Sequence, residues 1–179
     1  ISGQMSNMTV FSALMDWKNR LDHKGFSVSA ERLCRKINDY ISTHSDPDTT
    51  PVLLVTGQSR GGALTNLVGK HFTDGGVRCL AYGFNVPMTT CENDQSILRS
   101  YTTLFNIVNE DDLVSKIPCA AWGFSRYGTD VSYKMSSFPS LWSAYFGEPH
   151  YALSDRTVSQ FLQVITTLAP SRKALYEFD

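Results

Sequence analysis

Apolar residues recur along the chain at spacings that predict its first helix and strand. They repeat every three to four positions over one stretch, at Val28, Leu33, Ile37, Tyr40 and Ile41. This spacing predicts a helix from about Ser27 to Thr43. A polar, turn-rich segment then leads to the short apolar run Val52 to Thr56. Such a run is typical of a strand that is covered on both faces.

Strands and helices alternate further along the chain. A second apolar helical face follows the glycines at 61 and 62 and ends at the sequence DGG, residues 74–76. Strands are predicted at Val77 to Phe84 and at Thr103 to Asn109, with a short helix near Gln95 to Ser100 between them. A last apolar face runs from Val158 to Leu168 and predicts a final helix. This alternation predicts βαβ units and a largely parallel sheet, which is an α/β fold.

The composition narrows the class of protein. A chain of 179 residues, 42% hydrophobic and 18% charged, predicts one soluble globular domain over residues 1–179. Sixteen basic and seventeen acidic residues leave a net charge of −1, which excludes nucleic acid as an expected partner. The first residues, ISGQMSNM, have neither a basic start nor an apolar core, so no signal peptide is visible. Neither the compartment nor the oligomeric state follows from these features.

The cysteines and histidines do not indicate a metal site. Cys34, Cys79, Cys91 and Cys119 form no C-x-x-C pair and show no ligand-like spacing to the four histidines. We therefore expect no metal, and buried or free thiols. Whether Cys91 and Cys119 form a disulfide does not follow from their spacing.

One serine lies between glycines in the stretch TGQSRGGAL, residues 56–64. It follows a predicted strand and opens a predicted helix, which is the context that a nucleophile elbow requires. Gly57, Gly61 and Gly62 suit both the strained turn and the close approach of strand and helix. The alternative is a glycine-rich turn of another doubly wound fold, but the nucleotide-binding G-x-G-x-x-G and P-loop patterns are absent. Ser59 is therefore the candidate nucleophile.

A serine nucleophile needs a base and an acid to orient that base. In this fold the order along the chain is serine, acid, histidine. His150 is the one histidine that follows the predicted strand ending at Asn109, so it is the candidate base. Asp111 and Asp112 come just after that strand, and their side chains are expected to face opposite ways. The residues alone leave the choice between the two open.

Four blocks in this order resemble the class 3, fungal-type triacylglycerol lipases of the α/β-hydrolase superfamily. GQSRGGA at 57–63 resembles the family's G-H-S-L-G-G-A, with Gln58 and Arg60 departing from it. NEDDLVSKIP at 109–118 is similar to N-E-x-D-I-V-P-x-L-P, with Ser115 in place of a proline. GFSRYGTD at 123–130 resembles the family's G-x-x-x-x-G-x-E strand pair, and DHKGF at 22–26 resembles V-H-x-G-F, which makes His23 a hydrogen-bonding structural residue.

The resemblance implies an α/β-hydrolase fold and a site. It selects Asp112 over Asp111, so the expected triad is Ser59, Asp112 and His150. The elbow residues are Gly57, Gln58 and Gly61, and the backbone N–H of Arg60 is an oxyanion donor. The implied activity is hydrolysis of lipid or other apolar acyl esters through an acyl-enzyme, without a cofactor and with transient contact to a lipid interface.

Two departures keep alternatives open. The family's R-G-T strand, which supplies the second oxyanion donor, has no counterpart before His23, and residues 1–22 fall where the family has its lid. We therefore expect this chain to be a piece of a longer protein that lacks N-terminal strands. A catalytically weak or inactive binding or scaffold protein on the same fold is a second hypothesis. An acyltransferase or feruloyl-type esterase is a third.

Overall fold

The computed structural model describes residues 22–46, 48–110 and 112–133, together with residues 160, 162–163 and 166–167. Helices and strands alternate along this part of the chain. The helices are α1 (Lys24–His44), α2 (Arg60–Asp74) and α3 (Gln95–Ser100), and the strands are β1 (Val52–Gln58), β2 (Arg78–Phe84), β3 (Leu104–Asn109) and β4 (Thr129–Tyr133). The two long helices and the first three strands lie where the apolar pattern predicts them, with ends that match or differ by at most three residues.

The four described strands form one parallel sheet in the order β1-β2-β3-β4. This arrangement confirms the predicted α/β fold. Because all four strands run the same way, their carboxyl ends meet at one edge of the sheet. The chain leaves β1 and β3 at this edge, so the segments that follow both strands lie on the same side of the molecule.

The main core lies between the sheet and the helices α1 and α2. Helix α2 contributes Ala63, Leu67, Val68 and Phe72, which are all buried. Gly69 allows α2 to lie close to the sheet, because a Cβ there would come within 2.8 Å of the Ala81 Cβ. Shape rather than hydrophobicity alone therefore fixes the distance between the nucleophile helix and the sheet.

The opposite face of β1 is open, which corrects one expectation. Val52 and Leu54 are 56% and 66% exposed, although the apolar run predicts a strand covered on both faces. The reason is positional: in the described part of the chain β1 is an edge strand, and α2 packs on one face of it only. The alternation of exposed and half-buried residues along β1 follows from this.

The cysteines and the helix ends can also be compared with the predictions. The four cysteines are free, buried thiols, and the described residues of the last predicted helix, at 160, 162–163 and 166–167, are helical. Helix α1 begins before Ser27 because the carbonyl of His23 accepts the N–H groups of Phe26 and Ser27, at 3.1 and 2.9 Å. No helix in the described ranges has the length and apolarity needed to span a membrane.

Candidate active site

Ser59 is the single residue between the end of β1 and the start of α2. Its backbone has φ 54° and ψ −118°, and a positive φ is rare for a residue with a Cβ. Two hydrogen bonds hold this turn: the Ser59 N–H donates to the Phe84 carbonyl at 2.8 Å, and the Ala63 N–H donates to the Ser59 carbonyl at 3.0 Å. The strand, sharp turn and helix predicted around this serine are therefore present, and the strained residue is the serine itself.

Two of the three glycines around Ser59 are sterically required. A Cβ on Gly57 would overlap the Gly61 carbonyl, and one on Gly62 would lie 2.9 Å from the Phe84 carbonyl oxygen. A Cβ on Gly61 would meet no atom of the described residues within 4 Å. The prediction that all three glycines serve the close approach of strand and helix is therefore wrong for Gly61, because neither β1 nor β2 lies near the position of its Cβ.

The amino end of α2 offers hydrogen-bond donors next to Ser59. The first N–H groups of a helix have no acceptor within the helix, and Arg60 is the first residue of α2. The Arg60 side chain turns toward α1, where its Nη2 donates to the Ser29 Oγ at 3.1 Å. The backbone N–H of Arg60 therefore keeps its position at the helix start while the charged side chain is held by a different helix.

Asp112 follows β3 by three residues, so it lies at the same edge of the sheet as Ser59. Its Oδ1 accepts the Val114 N–H at 2.8 Å, and its own N–H donates to the Asn109 carbonyl at 3.1 Å. The side chain is half-buried. Among the described residues, its Oδ2 has no hydrogen-bond donor. One carboxylate oxygen is therefore anchored, and the other is open to a further donor.

Asn85 joins the ends of the strands that lie beside Asp112. It has φ 47°, which asparagine tolerates better than most residues, and its Oδ1 accepts the Asn109 N–H at 3.1 Å. The Tyr133 hydroxyl donates to the same oxygen at 3.5 Å. Burial raises the pKa of Tyr133, and the nearby Asp112 carboxylate raises it further. The carboxylate and the phenol therefore lie close to one another at this end of the sheet.

The predicted base, His150, and the alternative acid, Asp111, lie outside the described residues. His44 and His71 are exposed, as expected for residues near helix ends. His23 is buried, but neither ring nitrogen has a hydrogen-bond partner in the described part of the chain. His23 is therefore a structural hydrogen-bonding residue, as expected, but through its backbone: its N–H donates to the Thr89 carbonyl at 2.8 Å, while the ring packs against Phe26 with a centroid distance of 4.5 Å.

Solved structures resemble this chain, although no protein-family model matches its sequence. A mono- and diacylglycerol lipase from Aspergillus oryzae aligns with a TM-score of 0.57 and 14% identity, over 76% of this chain and 46% of that one. A fungal lipase aligns with a TM-score of 0.52 and 19% identity, over 66% and 44%. The Rhizomucor miehei lipase–propeptide complex aligns with a TM-score of 0.48 and 25% identity, over 67% and 40%.

The first two of these alignments decide the fold. This chain has the fold of the fungal lipases. The resemblance to class 3 lipases and the assignment to an α/β-hydrolase fold are thereby confirmed at the level of the fold. The chain spans less than half the length of each of these three lipases.

An apolar groove of about 460 Å³ lies away from Ser59 in this lipase fold. Its lining includes Ile37 and Ile41 from the second half of α1, Pro51 just before β1 and Leu53 in β1. The groove is at the amino ends of the strands, whereas ligands of open α/β sheets bind at the carboxyl ends. It is therefore separate from the candidate site. Within the described ranges, no group of three or more His, Cys, Asp or Glu residues could hold a metal ion.

Sequence reasoning missed one buried charged residue near the candidate acid. The Arg126 side chain is 6% exposed and forms an ion pair with Asp130 at 2.5 Å. The signal was available in part, because both residues belong to the GFSRYGTD block and Asp130 occupies the position of the family's glutamate. The contacts that Arg126 makes outside this block have no signature in the sequence.

Proposed function

We propose that this chain carries the catalytic core of a serine carboxyl-ester hydrolase that acts on lipid or other apolar acyl esters. The observation that supports this most strongly is the backbone of Ser59, which holds a positive φ between a strand and the amino end of a helix. Strain at a single residue with a hydroxyl nucleophile is characteristic of functional sites. The names of the similar structures, which are lipases, support the ester substrate class.

In the proposed mechanism the Ser59 Oγ attacks the acyl carbonyl carbon while the His150 imidazole takes its proton. The Arg60 N–H donates to the oxyanion that forms, and the Asp112 carboxylate holds and stabilises the imidazolium. The imidazolium then gives its proton to the leaving alcohol, and an acyl-serine ester remains. A water molecule, deprotonated by His150, attacks this ester; the imidazolium then returns the proton to the Ser59 Oγ as the acyl–oxygen bond breaks and the carboxylic acid leaves. The open Oδ2 of Asp112 supports its role as the orienting acid.

Covalent labelling of the nucleophile tests this proposal. A fluorophosphonate probe should label the full chain once, at Ser59, and the same protein should hydrolyse p-nitrophenyl acyl esters. Ser59→Ala should lose both reactions. Ser100→Ala, which changes an exposed serine on α3, is the matched control and should keep both. Equal labelling of wild type and Ser59→Ala would refute the nucleophile. A folded wild type that neither reacts nor turns over would favour the scaffold hypothesis.

The same assay tests the acid. Asp112→Asn should lower ester turnover by about 10⁴-fold, the loss that an equivalent change causes in a comparable triad. Asp111→Asn is the neighbouring control and should have a much smaller effect. If the two variants exchange their effects, the acid is Asp111 and the proposed alignment is shifted by one residue.

A further inference from the structure

The buried guanidinium of Arg126 contacts three separate parts of the chain. Its Nη1 donates to the carbonyls of Val86 and Ser115, at 2.5 and 2.6 Å. Its Nη2 and Nε donate to the two carboxylate oxygens of Asp130, at 2.5 and 3.2 Å. Arg126 therefore ties the segment after β2 and the start of β4 to the segment that carries Asp112.

Ser115 connects this guanidinium to the candidate acid. Ser115 is 3% exposed, and its hydroxyl donates to the Asp112 carbonyl at 2.8 Å and approaches the Asn109 carbonyl at 3.3 Å. The carbonyl of Ser115 is one of the acceptors of Arg126. A proline, which the lipase family has at this position, has no hydroxyl to donate. The link from Arg126 through Ser115 to Asp112 is therefore a feature of this chain.

A buried amide connects the same ion pair to the nucleophile helix. Asn106 on β3 donates from its Nδ2 to the Asp130 Oδ1 at 3.0 Å, and its Oδ1 accepts from the Asn66 Nδ2 at 2.8 Å. Asn66 lies on α2, seven residues after Ser59, and is 2% exposed. The Asn66 Oδ1 in turn accepts the Thr89 hydroxyl at 2.8 Å. Hydrogen bonds thus run without a gap from α2 to the segment of Asp112.

We propose that Arg126 and Asp130 are positioning residues that set the place of Asp112 relative to Ser59. This inference rests on the proposed function, since it assigns these two residues to the same triad. A guanidinium that is 6% exposed needs acceptors for its donors, because an unpaired buried charge is costly. The rigid fork of arginine fits a carboxylate and two carbonyls at once, and a lysine offers no such fork. The hydrogen bond from the guanidinium therefore fixes the position of the Ser115 carbonyl. Because the Ser115 hydroxyl donates to the Asp112 carbonyl, the position of Asp112 is fixed with it.

The test combines substitutions at Arg126 and Asp112. Arg126→Gln should lower kcat by about 10²-fold, because a small displacement of a catalytic group costs that much, with little change in KM. It should also move the acidic limb of the kcat/KM profile to lower pH, since a displaced carboxylate no longer stabilises the imidazolium. Rates are expressed per site titrated with the fluorophosphonate, so that misfolded protein is not counted. Asp130→Glu, which keeps the carboxylate, should retain most activity, whereas Asp130→Asn should not.

A double-mutant cycle separates positioning from general structural support. If Arg126 acts through Asp112, Arg126→Gln should have almost no further effect in the Asp112→Asn background. Effects that multiply would overturn the proposal, and so would a wild-type kcat and pH profile in Arg126→Gln. Arg99→Gln on α3 changes an exposed arginine and is the matched control, expected to be unaltered. If Arg126→Gln does not fold, Arg126→Lys and Ser115→Ala take its place in the cycle.

Hydrogen exchange of residues 110–118 provides a measurement that does not need turnover. Exchange there should become faster in Arg126→Lys and Asp130→Asn, while exchange in α2 stays at the wild-type rate. Unchanged exchange at 110–118 would overturn the positioning role even in an active enzyme. If the wild type neither labels nor turns over, the proposed function fails, and this measurement alone decides whether Arg126 holds the segment.

Discussion

At the scale of the residue, the backbone conformation of Ser59 is strained. A positive φ is rare for a residue with a Cβ, and residues held in such regions cost about 1–3 kcal/mol each. The turn persists because Ser59 is held on both sides: its N–H bonds to the Phe84 carbonyl and its carbonyl to the Ala63 N–H. The folded state thus maintains an unfavourable backbone at the one position where the proposed chemistry needs it.

This strain predicts that removing the Cβ stabilises the turn. Ser59→Gly should have a higher free energy of unfolding than Ser59→Ala by about 1–2 kcal/mol. Glycine adopts this φ without strain, whereas alanine has a Cβ and is strained there as serine is. Both variants lack the nucleophile, so the difference reports on the backbone alone. Urea unfolding of the two proteins measures it. An alanine variant as stable as the glycine variant would show that the turn is unstrained.

At the scale of the element, local sequence patterns predicted the helices and strands, but they did not predict contacts between residues that are distant in sequence. The positions of β1 and α2 follow from apolar spacing and from the glycines at 57, 61 and 62, which are close together in sequence. Arg126 was missed because its acceptors at Val86 and Ser115 are backbone carbonyls, 40 and 11 positions away. Any residue type supplies such a carbonyl, so no pattern marks them. The choice of Asp112 came from the family resemblance, and His150 stays a prediction because it lies outside the described residues.

The packing of α2 against β2 distinguishes two adjacent glycines. A Cβ on Gly62 would lie 2.9 Å from the Phe84 carbonyl oxygen and 3.1 Å from the Val86 Cγ2, so either the helix or the strand must shift. Gly62→Ala should therefore lower the free energy of unfolding by about 1–3 kcal/mol, the usual cost of overpacking. The alanine Cβ of Gly61→Ala would meet no described atom within 4 Å, and position 61 lies in the first turn of α2. It should leave stability unchanged or raise it by up to about 1 kcal/mol, because alanine favours helix.

Unfolding in urea, followed by circular dichroism, compares the two variants under one condition. Each is the control for the other, since both replace a glycine by alanine within the same helical turn. Equal destabilisation by both would mean that the helix start, and not its contact with β2, limits stability. A stable Gly62→Ala protein would contradict the close approach of α2 to the sheet.

At the scale of the whole molecule, the open face of β1 is exposed to solvent, whereas the His23 side chain is buried. The open face leaves apolar side chains such as Leu54 in water. His23, by contrast, places a titratable ring in the packing between α1 and the segment around Phe124, at a centroid distance of 6.4 Å from that phenylalanine ring. A buried imidazole without hydrogen-bond partners is tolerated only while it is neutral. The stability of the fold is therefore linked to pH through this residue.

The sign and window of this linkage follow from the two pKa values. Burial lowers the pKa of His23 from 6.5 to about 4, and the polar groups of its own backbone oppose this only in part. Between these values the unfolded chain binds a proton that the folded protein excludes, so acid favours unfolding. The free energy of unfolding should therefore fall by about 3 kcal/mol from pH 6.5 to pH 4, at about 1.4 kcal/mol per pKa unit.

A variant without the imidazole tests this linkage. His23→Leu, with a side chain of similar volume and no charge, should lose this part of the dependence of stability on pH. His71→Gln, on the exposed side of α2, should keep it. Carboxylates titrate over part of the same range, so the quantity to compare is the difference between each variant and wild type in urea unfolding at several pH values. Parallel curves for wild type and His23→Leu would show that the folded protein accepts a proton at His23 as readily as the unfolded chain does.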